Sequence, residues 1–189
     1  MRVKRVMAGV CFALFTLSVQ SWAGSFVLFP KAGRLVSPDR RFEVRDADRL
    51  GAASDFVGSF HSLWIVDQSN GSSRKLCDYI GVAAVEWAGN DFLLVTEYVG
   101  KKTSRAFVFP TVTSHDSIVI DVSSLEKAVP PELRETLRGN DHVFVEASSL
   151  EKGTFYFRAW GYGQHDKSGF RWNCQYTFID EKLACDSSR

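Results

Sequence analysis

Histidine is the side chain that most readily moves a proton near neutral pH, and this chain has four: His61, His115, His142 and His165. Three of them touch an aspartate in sequence, as His115-Asp116, Asp141-His142 and His165-Asp166. Adjacent residues on a strand point to opposite faces, so such pairs share a proton or a metal ion only when they lie in a loop. We read them as polar surface residues near turns. Asp46-Ala47-Asp48 has the spacing that puts two carboxylates on one strand face. Two oxygens fall well short of the roughly six to eight that Ca²⁺ takes, so the segment reads as a solvated turn. Cys77 has Arg74 and Lys75 close by, cations that lower a thiol pKa, but no base beside it to activate it. The sequence contains no Gly-x-Ser-x-Gly, His-Glu-x-x-His, Cys-x-x-Cys or Gly-Lys-Ser/Thr motif. On these grounds no catalytic residue, metal ligand or cofactor is expected.

Binding chemistry is better represented. Trp160-Gly161-Tyr162-Gly163-Gln164-His165 opens a loop that runs to Gly169 and is followed by Trp172. Aromatic rings between glycines offer flat stacking faces with polar tips, which suits recognition of a peptide or a sugar. Trp160, Tyr162, His165 and Trp172 are therefore the candidate partner-binding residues. The competing reading is that these rings pack on the end of a sheet and the glycines only turn the chain.

The elements that must position these residues are short alternating runs separated by turns, the period-2 pattern of strands. Arg41–Arg45 is followed by Ser62–Asp67, the turn Gln68-Ser69-Asn70-Gly71 and Arg74–Cys77. The Asn-Gly pair is a strong hairpin signal because both residues tolerate positive φ. Asn70-Gly71-Ser72 also spells a glycosylation acceptor, relevant in a eukaryotic source. A second set comprises Val82–Trp87, a turn at Ala88-Gly89-Asn90, Phe92–Glu97, Ser104–Phe109 and Ser117–Val122. A third holds His142–Ala147, a turn at Glu151-Lys152-Gly153, Thr154–Trp160 and a hairpin over Phe170–Cys185. Between the last two sets a helical connector is predicted over 123–139, with a capping box from Ser123, Pro130-Pro131 at a restart and Gly139 as the stop. The fold class is all-β: about three antiparallel meanders of roughly four strands each.

Two stretches carry a resemblance. Val36-Ser37-Pro38-Asp39-Arg40-Arg41-Phe42, and Ser62–Asp67 through Asn70-Gly71 to Arg74-Lys75-Leu76, are similar to the TolB-type β-propeller repeat, in which a Ser-Pro-Asp-Gly turn leads to a Leu-Trp-x-x-Asp strand and then Arg-x-Leu. The match covers one repeat, residues 36–76, with Arg40 where the family prefers Gly; Trp87–Phe92 and Ala147–Phe155 only echo it. The resemblance implies blade-like meanders in which Trp64 packs between neighbours, and it leans toward binding of peptides or proteins. Three blades are too few for a typical ring of at least about four, so an open stack or a curled sheet is expected.

Both chain ends add constraints. Arg2, Lys4 and Arg5 precede an apolar run from Val6 to Val19, and Ser21-Trp22-Ala23 precedes Gly24. This is the plan of a signal peptide cleaved after Ala23, with an apolar run shorter than the ~18 residues a spanning helix needs. A mature domain over 24–189 then keeps 20 basic against 22 acidic residues, since the whole chain has 23 and 22 and the leader takes three basic ones. That balance leaves no electrostatic footprint for nucleic acid or an anionic membrane surface. In an oxidising compartment Cys174 and Cys185, flanking a turn at Phe178–Glu181, are placed to face each other and form a disulfide; Cys77 is left over, as a buried unpaired thiol or, alternatively, in an intermolecular disulfide or a re-paired set. The expectation is a periplasmic or secreted, non-enzymatic domain that recognises a protein or peptide partner. The alternatives are an inhibitor or immunity-type protein of a secreted enzyme, and a hydrolase of unknown type.

Overall fold

The computed structural model describes residues 26–48, 60–112, 116–163 and 168–187. The leader expected over 1–23 lies outside the described residues, as do His115 and His165.

β1 (Val27–Phe29) is a short edge strand, and the first meander begins after it with β2 (Arg34–Val36), β3 (Phe42–Asp48) and β4 (Phe60–Asp67), each antiparallel to the next. The β2–β3 turn is held by both polar side chains of the Ser-Pro-Asp motif. Ser37 Oγ accepts from the Phe42 amide at 2.9 Å and donates to Asp39 Oδ1 at 2.6 Å, which also accepts from the Arg41 amide. Arg40 sits at φ 63°, the left-handed region that glycine occupies without cost. Trp64 is half-buried, on the face of β4 opposite the core residues Leu63 and Ile65.

Arg74–Cys77 and Val82–Trp87, expected as two strands, are one. β5 (Ser73–Ala88) pairs with β4 from Ser73 to Ile80 and from Gly81 onward with β6 (Phe92–Val99), while β1 takes its other edge at Ala83–Val85. Gly81, at φ 82°, marks the change of partner. β7 (Thr103–Pro110) and β8 (Ile118–Ile120) complete the second meander. β6 and β7 are buried on both faces, as near-continuous apolar strands must be. Leu93, Val95, Phe107 and Phe109 face a core shared with β1 through Phe29 and with the first meander through Val44 and Tyr79. Leu94, Ala106 and Val108 face a second core.

The helical connector is two short helices, α1 (Val122–Ala128) and α2 (Pro131–Arg138). The cap of α1 is Asp121, not Ser123: its Oδ1 accepts from the Ser124 amide at 2.8 Å and so satisfies an orphan donor of the first turn. Pro131 at the first helical position and Gly139 at the end bound α2 as expected. Leu125, Val129 and Leu137 point into the second core.

β9 (His142–Glu151), β10 (Thr154–Tyr162), β11 (Phe170–Thr177) and β12 (Lys182–Ser187) form the third meander. Cys174 and Cys185 are register partners across the last hairpin and are disulfide-bonded. The junction between the meanders is unusual. β9 meets β7 in parallel register only at Thr103 and Val143, then diverges. Beyond that point side chains stand in for the ladder: Ser104 Oγ accepts from the Val145 amide and donates to the Val145 carbonyl, both at 2.8 Å, and Thr96 Oγ1 accepts from the Ala147 amide at 2.9 Å. Three four-strand meanders are present, but the first two share β5, and all join edge to edge in one open sheet of the order β12-β11-β10-β9-β7-β6-β5-β4-β3-β2.

Candidate functional site

The outward face of β9 and β10 carries a ladder of aromatic rings, built by period-2 alternation. Phe155, Phe157 and Ala159 point inward to the core, so Tyr156, Arg158, Trp160 and Tyr162 point outward. Register places Tyr162 opposite His142, Trp160 opposite Phe144 and Arg158 opposite Glu146. The first pair stacks at 4.5 Å with planes 8° apart, the second at 4.3 Å and 22°. Each such contact contributes about 0.5–1.5 kcal/mol beyond area burial, so the ladder is a stiff surface. Tyr162 is 44% exposed and Tyr156 37%, while Phe144 at 7% is the covered base of the stack.

A polar row borders the rings. Arg158 lies 3.6 Å from Glu146, which also accepts from the Tyr98 hydroxyl at 3.0 Å. Burial first, and then the Glu146 carboxylate, push the Tyr98 phenol up to about 12, so it stays a donor at any physiological pH. Arg171 of β11 is exposed beside Trp160, its register partner. At the far end Asp141 Oδ1 lies 3.2 Å from His142 Nδ1, out of full hydrogen-bond alignment. That approach, more than any other, holds the Asp141 carboxyl below its usual range.

The sequence candidates distribute unevenly over this site. Trp160 and Tyr162 lie in it, but on a strand rather than a loop. Gly161 does not turn the chain. A Cβ there would meet the His142 carbonyl 2.5 Å away and the ring of Phe170, its cross-strand partner, 2.6 Å away, so glycine makes room for close packing. Trp172 faces the other way; at 2% exposure and packed on Phe170 at 4.3 Å, it belongs to the second core and offers no surface ring. His165 lies outside the described residues. Phe144, Glu146, Arg158 and Tyr98 escaped the sequence reading, although alternation through Thr154–Trp160 put Arg158 on the face of Trp160.

The other polar clusters are internal. His61 Nδ1 is 3.1 Å from Asp46 Oδ2, and the Tyr79 hydroxyl donates to Asp46 Oδ1 at 2.5 Å, with the His61 and Tyr79 rings stacked at 5.1 Å. Asp46 therefore serves two protein donors on the buried face rather than a solvated turn. Glu97, 2% exposed, takes Arg105 Nη2 at 2.6 Å and Nε at 2.9 Å; burial raises its pKa and Arg105 opposes the rise. Cys77 is pushed up to about 12, by burial first and then by Glu97 and Asp78. Arg74 and Lys75 do not set its pKa, as their sequence proximity suggested; a thiol so rarely ionised is a poor nucleophile. Among the described residues no group of three or more His, Cys, Asp or Glu side chains is arranged to hold a metal ion, and no helix is long and apolar enough to cross a membrane.

Fold and site together define an open all-β sheet with a stacked aromatic face. Comparison with family models, with curated proteins and with solved structures finds no match to the chain.

Proposed function

We propose that the protein is an exported, non-enzymatic binding domain whose β9–β10 aromatic face recognises a protein or peptide partner. The observation that carries this reading is the ladder of His142–Tyr162 and Phe144–Trp160 beside the Glu146–Arg158 pair, with Tyr162 and Arg158 exposed at its surface. Rigid aromatics lose little conformational entropy on binding, and aromatic and arginine side chains dominate the energetic centres of interfaces. The signal-like first 23 residues and the Cys174–Cys185 disulfide support a periplasmic or extracellular setting. The sequence resemblance of residues 36–76 to a TolB-type repeat supports the same reading.

Selection of a displayed peptide library on the mature domain tests the proposal. Trp160→Ala together with Tyr162→Ala, both partly exposed, should reduce capture of the selected peptides by at least about 100-fold, the loss of two hot-spot rings. Undiminished capture by a folded double variant would remove the aromatic face as the binding surface.

A further inference from the structure

We propose a second binding site: the groove between β8 and the β11–β12 hairpin receives an extended peptide from another protein, whose main chain pairs with the open edge of β8 while one large apolar side chain enters the cleft beside Phe178. It uses a different surface from the aromatic face and does not depend on that face being a binding site.

Three observations converge on it. The first is topological. β7 carries two neighbours on one edge, β9 at Thr103 and β8 at Ala106–Val108. The sheet turns away along β9 to β12, so the described residues give β8 no strand partner besides β7, and β12 none besides β11. α1 packs against β8, β9 and β12 and walls the opening with Ser124, Lys127 and Ala128. Unpaired strand N–H and C=O groups are the template to which an extended chain adds.

The second is a cleft of about 560 Å³, floored by Phe92, Val108, Ile118, Leu150, Tyr176 and Phe178. It lies within the usual size range of ligand pockets and leads to the second core. A neighbouring hollow shares Ile118, Tyr176 and Glu181 with it and continues past Val119 and Ile120 to Leu183. The concavity is therefore elongated along β8, the shape of a strand with one anchoring side chain rather than of a compact small molecule.

The third is charge. Asp116 and Glu181 stand at the mouth of the cleft against Lys152, and a second cation, Lys127 of α1, lines the adjoining hollow away from this mouth. This mouth favours a basic residue next to the apolar anchor and disfavours an acidic one.

The probe is a short fluorescent peptide of alternating Thr and Val with a central Phe flanked by Lys, titrated onto the mature domain and followed by amide NMR. Shifts should cluster at Ile118–Ile120, Phe178 and Glu181. A Glu-flanked peptide should bind at least about tenfold more weakly, as should a Lys-flanked one methylated at the main-chain nitrogens that face β8. Glu181→Lys, at an exposed turn position, should invert the preference for Lys over Glu. Trp160→Ala with Tyr162→Ala should leave this titration unchanged, which separates the two sites. Shifts confined to the β9–β10 face, indifference to N-methylation, or a Glu181→Lys variant with unaltered preference would each overturn the proposal. So would concentration-dependent self-association that is abolished by Ile179→Ser at the exposed hairpin tip, since a second copy would then be the occupant.

Discussion

Replacing Ser104 by Ala tests whether hydroxyls truly stand in for a strand ladder between the second and third meanders. Ser104 is fully buried, and its Oγ serves both the amide and the carbonyl of Val145. Its removal leaves two backbone groups of β9 without a partner in a site closed to water. Each orphaned group costs about 1–3 kcal/mol, and the two share one peptide neighbourhood that relaxes together, so we expect a loss of about 2–4 kcal/mol. Thr96→Val, nearly isosteric, removes only the acceptor for the Ala147 amide and should cost about 1–2 kcal/mol. Urea unfolding of both single variants and of the double variant measures the losses. Because either change lets β9 move away from β7, the double variant should lose less than the sum of the two. Native-state hydrogen exchange should accelerate at Val145 and Ala147 well before the amides of β10 respond. A Ser104→Ala loss below about 0.5 kcal/mol, with unchanged exchange at Val145, would refute the reasoning, because it would mean that water reaches the seam.

Other outcomes follow from the same structure. Cys174→Ser with Cys185→Ser should cost about 2–3 kcal/mol in thermal or urea unfolding, the value for closing a loop with a sequence separation of 11. Arg40→Gly should stabilise by about 1 kcal/mol in the same assays, since Arg40 holds φ 63° where a side chain is penalised. Cys77 and Tyr98 both have pKa values raised to about 12, which favours their neutral forms in the folded state. Their contribution is complete below the unfolded values, so stability should fall as pH rises from their ordinary values of 9.0 and 10.0 toward about 12, measured by urea unfolding at each pH. In the native protein Cys77 should react with iodoacetamide far more slowly at pH 8 than in urea.

Much of the architecture could be read from local pattern. The Asn70-Gly71 and Lys152-Gly153 turns, the α2 boundaries and the 174–185 pairing each follow from residues close in sequence, where turn chemistry fixes register. What escaped required distant partners. The Asp78–Gly81 interval interrupts the alternation and ends in a glycine, so it reads as a break; only pairing to β4 on one side and β6 on the other makes it one strand. Ser104 and Thr96 look like ordinary strand residues until β9 is brought beside them. At the candidate site Trp160 and Tyr162 were visible as chemistry, but Gly161 suggested a loop because its need for space lies in the His142 carbonyl and the Phe170 ring on the two neighbouring strands. Trp172 shared the local sequence and not the face, and one residue of register decides that difference.

The strand that changes partners at Gly81 has a consequence for taking the molecule apart. Since one uninterrupted strand serves both the first and the second meander, no cut through β5 yields two halves that each keep their edges covered. Fragments separated at the Gln68–Gly71 turn should reassociate only when the second carries all of β5, whereas a division between Val82 and Trp87 should yield pieces that aggregate. The three meanders therefore do not behave as beads that can be shuffled, lengthened or shortened singly, and a circular permutant of this chain should open at Asn70-Gly71 rather than anywhere within the following sixteen-residue strand.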